Sequence, residues 1–178
     1  QAALDGAAPP AVRLVFDAGD IHERIALVVA DMWRDVLGVE TELDKREWAY
    51  YLDSRGKREE WDAMRYSWFA DYADAASFLD LFRSGSEHNL PGFADPDYEA
   101  VLDAAAAATE AGTRDAALAT AARRINASYA YAPLYFYVSR HLVRPEIAGF
   151  EDNALDRHPS AYLSPGNTTR DCTAAFED

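Results

Sequence analysis

The feature that most constrains the fold is a strand–helix–strand pattern near the start of the chain. Residues 12–16 form a short β-prone run, which a glycine then interrupts. Residues 21–37 repeat apolar side chains at steps of three and four, which predicts a helix that ends at Gly38. Residues 39–43 alternate between apolar and polar, as in a half-exposed strand. Such a βαβ unit is predicted to make a parallel, right-handed crossover.

The helix of this unit is predicted to bury one face against the sheet. Apolar residues at steps of three and four fall on a single side of a helix, so they share the same environment. The residues on the predicted buried face are Ile21, Ile25, Val28, Val29, Met32, Trp33 and Val36.

Two consecutive helices are predicted in the second half of the chain. Asp95 can cap the first of them, since aspartate is a preferred N-cap residue. Pro96 fits the same start, because proline is tolerated at the first helical position. Gly112 is predicted to break this helix and Thr113 to cap the next, which gives an antiparallel hairpin. The predicted buried positions are Tyr98, Val101, Leu102 and Ala105 in the first helix, and Leu118, Ala122 and Ile125 in the second.

Shorter segments complete the predicted fold. Residues 48–54 and 77–82 have the character of short helices, and residues 62–68 that of a strand. Residues 134–138 are apolar and aromatic, which predicts a buried strand. Together these segments predict an α/β fold with a mixed sheet, one βαβ unit and flanking helices.

The chain is expected to contain a single domain with an irregular segment at each end. Its 178 residues are enough for one sizeable core. We expect residues 1–11 to form a flexible leader, residues 12–163 the folded lobe and residues 164–178 a disordered tail. No apolar run reaches the length of a membrane span, and no signal peptide is apparent in the sequence.

The charge of the chain argues against nucleic acid as a partner. There are 31 acidic residues against 17 basic ones, with a formal net charge of −14. A protein that binds nucleic acid or anionic lipid needs a basic surface to neutralise phosphate groups. Neither class of ligand is therefore expected.

No motif for catalysis, metal binding or cofactor binding is apparent. The nucleophile-elbow pattern, the phosphate loop and the dinucleotide fingerprint are all missing from the sequence. Cys172 is the only cysteine, so no pair of thiols is available as metal ligands. The histidines have no metal-ligand spacing, and they are His22, His88, His141 and His158. We therefore predict a protein without catalytic residues, metal or cofactor.

Aromatic residues are concentrated between Trp48 and Phe82. Three of the four tryptophans lie in this stretch, together with several tyrosines and phenylalanines. One interpretation is an ordinary hydrophobic core with Tyr and Trp at its edges. The other is an aromatic-walled cleft, which buries the surface of a ligand and orients it with a few polar groups.

Three motifs in this stretch resemble a known family. They are Glu47-Trp48 with Tyr51-Leu52-Asp53, Trp68-Phe69-Ala70-Asp71-Tyr72-Ala73-Asp74, and Phe78-Leu79-Asp80-Leu81-Phe82. In order and spacing they are similar to the C-terminal lobe of periplasmic oligopeptide- and dipeptide-binding proteins, solute-binding protein family 5. The resemblance extends over about residues 12–163 and includes Asp95-Pro96-Asp97-Tyr98 and the segment 132–138. Because such receptors have two lobes, it implies an N-terminal lobe that this chain lacks.

The resemblance implies roles for eight residues. Asp71 is expected to pair with the α-ammonium group of a peptide, because a charge-assisted hydrogen bond anchors one end of any peptide. Trp48 would form a wall for side chains, while Trp68 and Phe69 would offer backbone groups to an extended peptide. The remaining residues are Arg65 and Arg55, which would meet the carboxylate end, and His22 and Tyr137, which would face the cleft.

Each of these residues also has a purely structural interpretation. Asp71 could cap a loop, the aromatic residues could pack in the core, and Arg55 could belong to a solvated turn. The resemblance favours a non-enzymatic, extracytoplasmic receptor lobe of an ABC importer, with oligopeptides, the other lobe and the importer's membrane subunits as partners. The alternatives are a carboxylate-dependent hydrolase domain and a protein-interaction domain without a transport role.

Overall fold

A three-stranded parallel sheet organises the first part of the computed structural model, which describes residues 9–166. Its strands are β1 (Val12–Asp17), β2 (Thr41–Arg46) and β3 (Ala63–Met64), in the order β2-β1-β3. β1 is the most buried strand because both its edges are paired, with Leu14 opposite both Leu43 and Ala63. The predicted βαβ unit with parallel strands is therefore confirmed.

Helix α1 (Asp20–Met32) connects β1 to β2 and continues into a π-helical turn, Trp33–Leu37. The predicted buried face of this helix is wrong for most of its residues. Ala26 is buried against the sheet and Val29 packs partly on it, but Val28 is 52% exposed and Val36 75% exposed. Three strands, one of them only two residues long, are too narrow to cover the whole apolar stripe.

Helix α2 (Trp48–Ser54) forms over the predicted residues, and the side chain of Glu47 caps it by accepting from Ala49 N–H. The strand predicted at 62–68 is mostly wrong, because only β3 pairs. Arg65 N–H still donates to the Val15 carbonyl at 2.8 Å. Since β1 ends at Asp17, residues beyond 66 have no β1 residue opposite them.

Three helices build the second half of the core. α3 (Ala76–Leu79) leads into a 3₁₀ turn, and α4 (Pro96–Ala107) and α5 (Ala111–Ala127) form the predicted hairpin. Asp95 caps α4 as predicted, since its Oδ1 accepts from Asp97 N–H at 3.0 Å. The core residues are Leu79, Tyr98, Leu102, Ala105, Leu118, Ala121 and Ile125.

The predicted hairpin connection is wrong in detail. Gly112 and Thr113 do not break and cap the helices but lie in the first turn of α5. The chain turns earlier, because α4 already ends at Ala107 and Glu110 precedes α5. A single glycine is tolerated in a helix at a cost of about 1 kcal/mol, so it does not by itself fix the boundary.

The buried strand predicted at 134–138 is wrong. These residues form no strand, and Phe136 is 96% exposed. A β-prone sequence becomes a strand only where another strand lies beside it, and neither free edge of the described sheet pairs with this segment.

The last described strands are short and form a separate antiparallel pair, β4 (Ile147–Ala148) and β5 (Ser164–Pro165). Ser164 and Pro165, which were expected in the tail, therefore belong to this pair. Residues 1–8 of the predicted leader and residues 167–178 of the predicted tail, including Cys172, lie outside the described residues. None of the helices within residues 9–166 is both long and apolar enough to cross a membrane.

Candidate functional site

A cluster of charged side chains lies at the carboxyl end of β1. Arg65 Nη1 donates to Asp17 Oδ1 at 3.1 Å, and His22 Nδ1 lies 2.7 Å from Asp17 Oδ2. All three side chains are largely buried, with exposures of 8% for Arg65, 12% for Asp17 and 17% for His22. Ligands of open α/β proteins bind outside the carboxyl ends of parallel strands, so this position is a natural place for a site.

Arg65 connects this cluster to two aromatic residues. Its Nη2 donates to the Tyr135 hydroxyl at 3.3 Å, and its backbone carbonyl accepts a hydrogen bond from the Tyr51 hydroxyl at 2.6 Å. Burial raises the pKa of Tyr51 to about 12, so this hydroxyl keeps its proton and remains a donor well into the alkaline range. Arg65 thus fixes α2 and the segment around Tyr135 relative to the sheet.

Exposed rings contact Tyr51 or the Tyr135 segment of this cluster, and we call them together the aromatic face. Trp48 stacks on Tyr51 with ring centroids 5.6 Å apart, and Tyr137 contacts both Tyr135, at 6.0 Å, and Phe69, at 5.3 Å. Trp48, Phe69 and Tyr137 are 57%, 60% and 53% exposed. The aromatic face consists of Trp48, Phe69, Tyr135 and Tyr137.

Arg55 and Trp68 belong to a second aromatic group. Arg55 Nη2 donates to the Tyr66 hydroxyl at 2.9 Å and lies 3.0 Å from His88 Nδ1, and its guanidinium lies over the Tyr66 ring. Trp68 contacts the rings of Tyr66 and His88, at 6.3 Å and 4.5 Å. Arg55 is therefore partly buried and bonded, unlike an arginine of a solvated turn.

Two donors of this second group are buried without a partner. Within the described part of the chain, neither Trp68 Nε1 nor Arg55 Nε makes a hydrogen bond. A buried donor without an acceptor costs about 1–3 kcal/mol, which makes both atoms candidates for contact with another molecule or chain segment.

Asp71 presents a free carboxylate. Its backbone N–H donates to Ser77 Oγ at 2.9 Å, which fixes the loop, while its side chain is exposed. Among residues 9–166, no hydrogen bond or ion pair engages that carboxylate. Asp74 in the same loop differs, because it pairs with Arg114 at 2.7 Å, which holds the pKa of Asp74 below its usual value.

The structure thus links five of the eight predicted site residues through a chain of contacts. His22 and Arg65 meet through Asp17, Trp48 joins them through Tyr51, and Phe69 and Tyr137 join through Tyr135. Arg55 and Trp68 form the second group. The residues that sequence reasoning missed are Asp17, Tyr51, Tyr66, His88 and Tyr135. A signal was available for Asp17, which directly follows the first predicted strand, residues 12–16, of a βαβ unit.

Comparison with known proteins connects this geometry to a family. Residues 5–89, which include both Trp48 and Asp71, match the family model described as bacterial extracellular solute-binding proteins, family 5 Middle. The chain belongs to this family. The family resemblance seen in the sequence and the α/β, periplasmic-binding-protein-like fold class are therefore confirmed.

Individual family members align over most of this chain. The periplasmic murein peptide-binding protein MppA of Escherichia coli is 32% identical over 145 residues, which cover 82% of this chain and 27% of MppA. The probable deoxycholate-binding periplasmic protein YgiS of the same species is 33% identical over 150 residues, which cover 84% of this chain and 28% of YgiS. These relatives are named as binding proteins and not as enzymes.

Solved structures of family members superpose on this chain. The E. coli murein tripeptide binding protein MppA gives a TM-score of 0.79 at 31% identity and covers 88% of this chain. Haemophilus influenzae OppA, solved in complex with the peptide RPPGFSPFR, gives 0.78 at 29% identity and also covers 88%. In both cases the chain spans 31% of the solved protein, so it corresponds to one part of the solute-binding fold.

Proposed function

We propose that this chain is the C-terminal, peptide-gripping lobe of an extracytoplasmic solute receptor for an ABC importer. The observation that carries the proposal is the free carboxylate of Asp71, two residues after the exposed ring of Phe69. The peptide-binding names of MppA and OppA support it. The ligand would lie between the aromatic face and an N-terminal lobe that would close over it.

Asp71 would hold the amino end of the peptide. A carboxylate that no other group of the described chain engages can accept a charge-assisted hydrogen bond from an α-ammonium group, which every unmodified peptide carries. Backbone groups of Trp68 and Phe69 would pair with the extended peptide, an interaction that ignores side-chain identity. Trp48 and Tyr137 would provide apolar walls for the peptide's side chains.

The arginines would serve the other end of the ligand. Arg65 has five N–H donors, and Asp17 and Tyr135 accept from two of them, so others remain for a carboxylate that reaches the buried cluster. Arg55 offers its unpartnered Nε. His22 would act through Asp17, by fixing the carboxylate that orients Arg65.

The exposure of the aromatic face supports a two-lobed receptor. Trp48, Phe69 and Tyr137 are each more than half exposed, as expected for rings that a second lobe would cover. The aromatic face would then be half of a cleft, completed when the second lobe closes.

A hydrolase based on paired carboxylates is less well supported. Such an enzyme needs two acids in one cleft whose pKa values are pushed apart. Asp17 is the only buried acid within residues 9–166, and Arg65 and His22 already occupy both of its oxygens. Within the described residues, no pair of acids therefore favours catalysis over binding.

The proposal is tested with a tripeptide, first on this chain and then in a two-lobed context. NMR titration of the 178-residue chain should give a dissociation constant of about 1 mM or weaker, with shifted amide signals around residues 69–71 and 135–137. A chimera that carries this chain in place of the matching segment of MppA should bind micromolar tripeptide. Submicromolar binding by the chain alone would refute the need for a second lobe, and a folded chimera that binds no peptide would refute the receptor function.

A further inference from the structure

Two histidines and a carboxylate, none of them part of the aromatic face, meet in the C-terminal segment. His141 Nε2 lies 2.6 Å and His158 Nε2 lies 3.0 Å from the same oxygen of Asp156, Oδ1. The candidate ligand atoms of the three residues all lie within 4.8 Å of one another. Their spacing in sequence gave no hint of this, because the fold alone brings His141 to the other two.

The surroundings of this cluster hold it in place. The Phe150 ring stacks on His158 with centroids 4.0 Å apart and contacts His141 at 5.1 Å, so both imidazoles have restricted orientations. Asn153 fixes the turn that carries Asp156 and precedes His158, because its Oδ1 accepts from Arg157 N–H at 3.1 Å and its Nδ2 donates to the Arg157 carbonyl at 2.9 Å.

Asp156 itself has features of a specialised residue. Its backbone is in the left-handed region, with φ of 52°, an uncommon conformation for a residue other than glycine. Its carboxylate oxygen Oδ1 is the common partner of the His141 and His158 imidazole nitrogens. Local strain and converging donors at one side chain are typical of a site that is built around a ligand.

We propose that His141, Asp156 and His158 form a binding site for a divalent transition-metal ion, with zinc as the best match. Two imidazole nitrogens and one carboxylate oxygen are a common protein donor set for zinc. Ligand atoms at zinc distances lie about 3.3 Å apart in a tetrahedron, so the observed 2.6 and 3.0 Å would open by about 0.7 and about 0.3 Å. The separations within the set that reach 4.8 Å would close when both imidazoles turn towards the ion. Water would complete the coordination.

A metal ion here would brace a segment that has little regular secondary structure. Residues 132–146 contain no helix or strand, and the strands that follow are only two residues long. The contacts of His141 and His158 with Asp156 close residues 141–158 into a loop. The free energy of ion binding at this point would add to the stability of the folded chain. The braced segment begins four residues after Tyr137, so the ion would also steady one edge of the aromatic face.

Calorimetry with zinc chloride tests the proposal on the full chain, after chelator treatment and with Cys172→Ser to remove the thiol. We expect one ion per chain with a dissociation constant of about 1 μM or tighter. Asp156→Asn and His141→Gln should each weaken binding at least about tenfold. Asp152→Asn, which removes an exposed charge from the same segment, is the matched control and should bind zinc like the parent.

Two further measurements keep the result decisive. Calcium, which prefers oxygen ligands, should give no comparable heat, and zinc should raise the melting temperature of the parent but not of Asp156→Asn. Circular dichroism establishes that each variant is folded. Equal zinc affinity in parent and both ligand variants, equal affinity for calcium, or no saturable zinc binding at all would each overturn the proposal.

Discussion

Asp17 and Arg65 form a buried ion pair that joins the end of the central strand to the segment after β3. Arg65 Nη1 donates to Asp17 Oδ1 at 3.1 Å, and the two side chains are only 8% and 12% exposed. A buried charge is tolerated only when it is paired and hydrogen-bonded, so each residue depends on the other. The pair therefore links the stability of the sheet to the geometry of the candidate site.

Replacement of Arg65 by methionine should lower the free energy of unfolding by about 3 kcal/mol. The substitution leaves the Asp17 carboxylate buried with His22 as its remaining side-chain partner, and it also removes the bond to Tyr135. Urea denaturation followed by circular dichroism measures the change.

Arg34→Met is the matched control for this prediction. Arg34 pairs with Asp31 at 2.7 Å, but both side chains are more than half exposed, at 53% and 61%. Solvent screens exposed pairs, so the control should lose little stability. If both variants lost the same free energy of unfolding, the buried pair would contribute no more to stability than the exposed pair does.

The parts of the fold that depend on neighbouring residues in sequence were predictable. The βαβ unit, helix α2 and the Asp95 cap all follow from local patterns, and the structure reproduces them. The segment 134–138 was not predictable, because its apolar residues would form a strand only beside a free partner strand. The exposure of the apolar stripe of α1 was not predictable for the same reason, because the sequence of the helix does not determine how many strands lie beneath it.

The candidate site was only partly predictable for a related reason. Resemblance to a family pointed to Asp71, Trp48 and Arg65, but the partner of Arg65 lies 48 residues away in sequence. No local pattern reports a contact over that distance. The meeting of His141 with Asp156 also depends on how an irregular segment folds back, which spacing rules for metal ligands do not describe.

Two tryptophans should respond differently to replacement by phenylalanine. Trp61 Nε1 donates to the Ser54 carbonyl at 2.9 Å, whereas Trp68 Nε1 is buried without a partner in the described chain. Trp61→Phe should therefore cost about 1 kcal/mol more than Trp68→Phe, which removes an unsatisfied donor. Urea denaturation of both variants checks the order, and a larger loss for Trp68→Phe would mean that its Nε1 has an acceptor after all.

Stability should fall in strong alkali partly because of Tyr51. Burial raises its pKa to about 12 in the folded chain, compared with about 10 in the unfolded chain. Its contribution is complete below pH 10 and is lost as the pH rises towards 12, because only the unfolded chain then releases the proton. The free energy of unfolding should fall by up to about 1.4 kcal/mol per pH unit from this residue.

Tyr51→Phe should make that alkaline decline shallower. Tyr98, whose pKa burial also raises, contributes in the same direction to both proteins and does not affect the comparison. Urea denaturation at pH 9 to 12 gives the slopes, with Tyr50→Phe as a neighbouring control that is 71% exposed before substitution. Identical slopes for parent and Tyr51→Phe would show that Tyr51 does not hold its proton through this range.

Asp71→Asn should selectively weaken the binding of peptides with a free amino end. In the two-lobed chimera we expect a loss of more than about 1 kcal/mol for a tripeptide, because the amide keeps the shape but removes the charge that attracts the ammonium group. The N-acetylated tripeptide should bind parent and variant equally.

Asp74→Asn is the matched control, because it removes a charge from the same loop. The carboxylate of Asp74 already pairs with Arg114, so this substitution should change the affinity for the free and the N-acetylated tripeptide equally. Calorimetry of the three proteins with both peptides gives six affinities, and equal discrimination by parent and Asp71→Asn would remove Asp71 from the site.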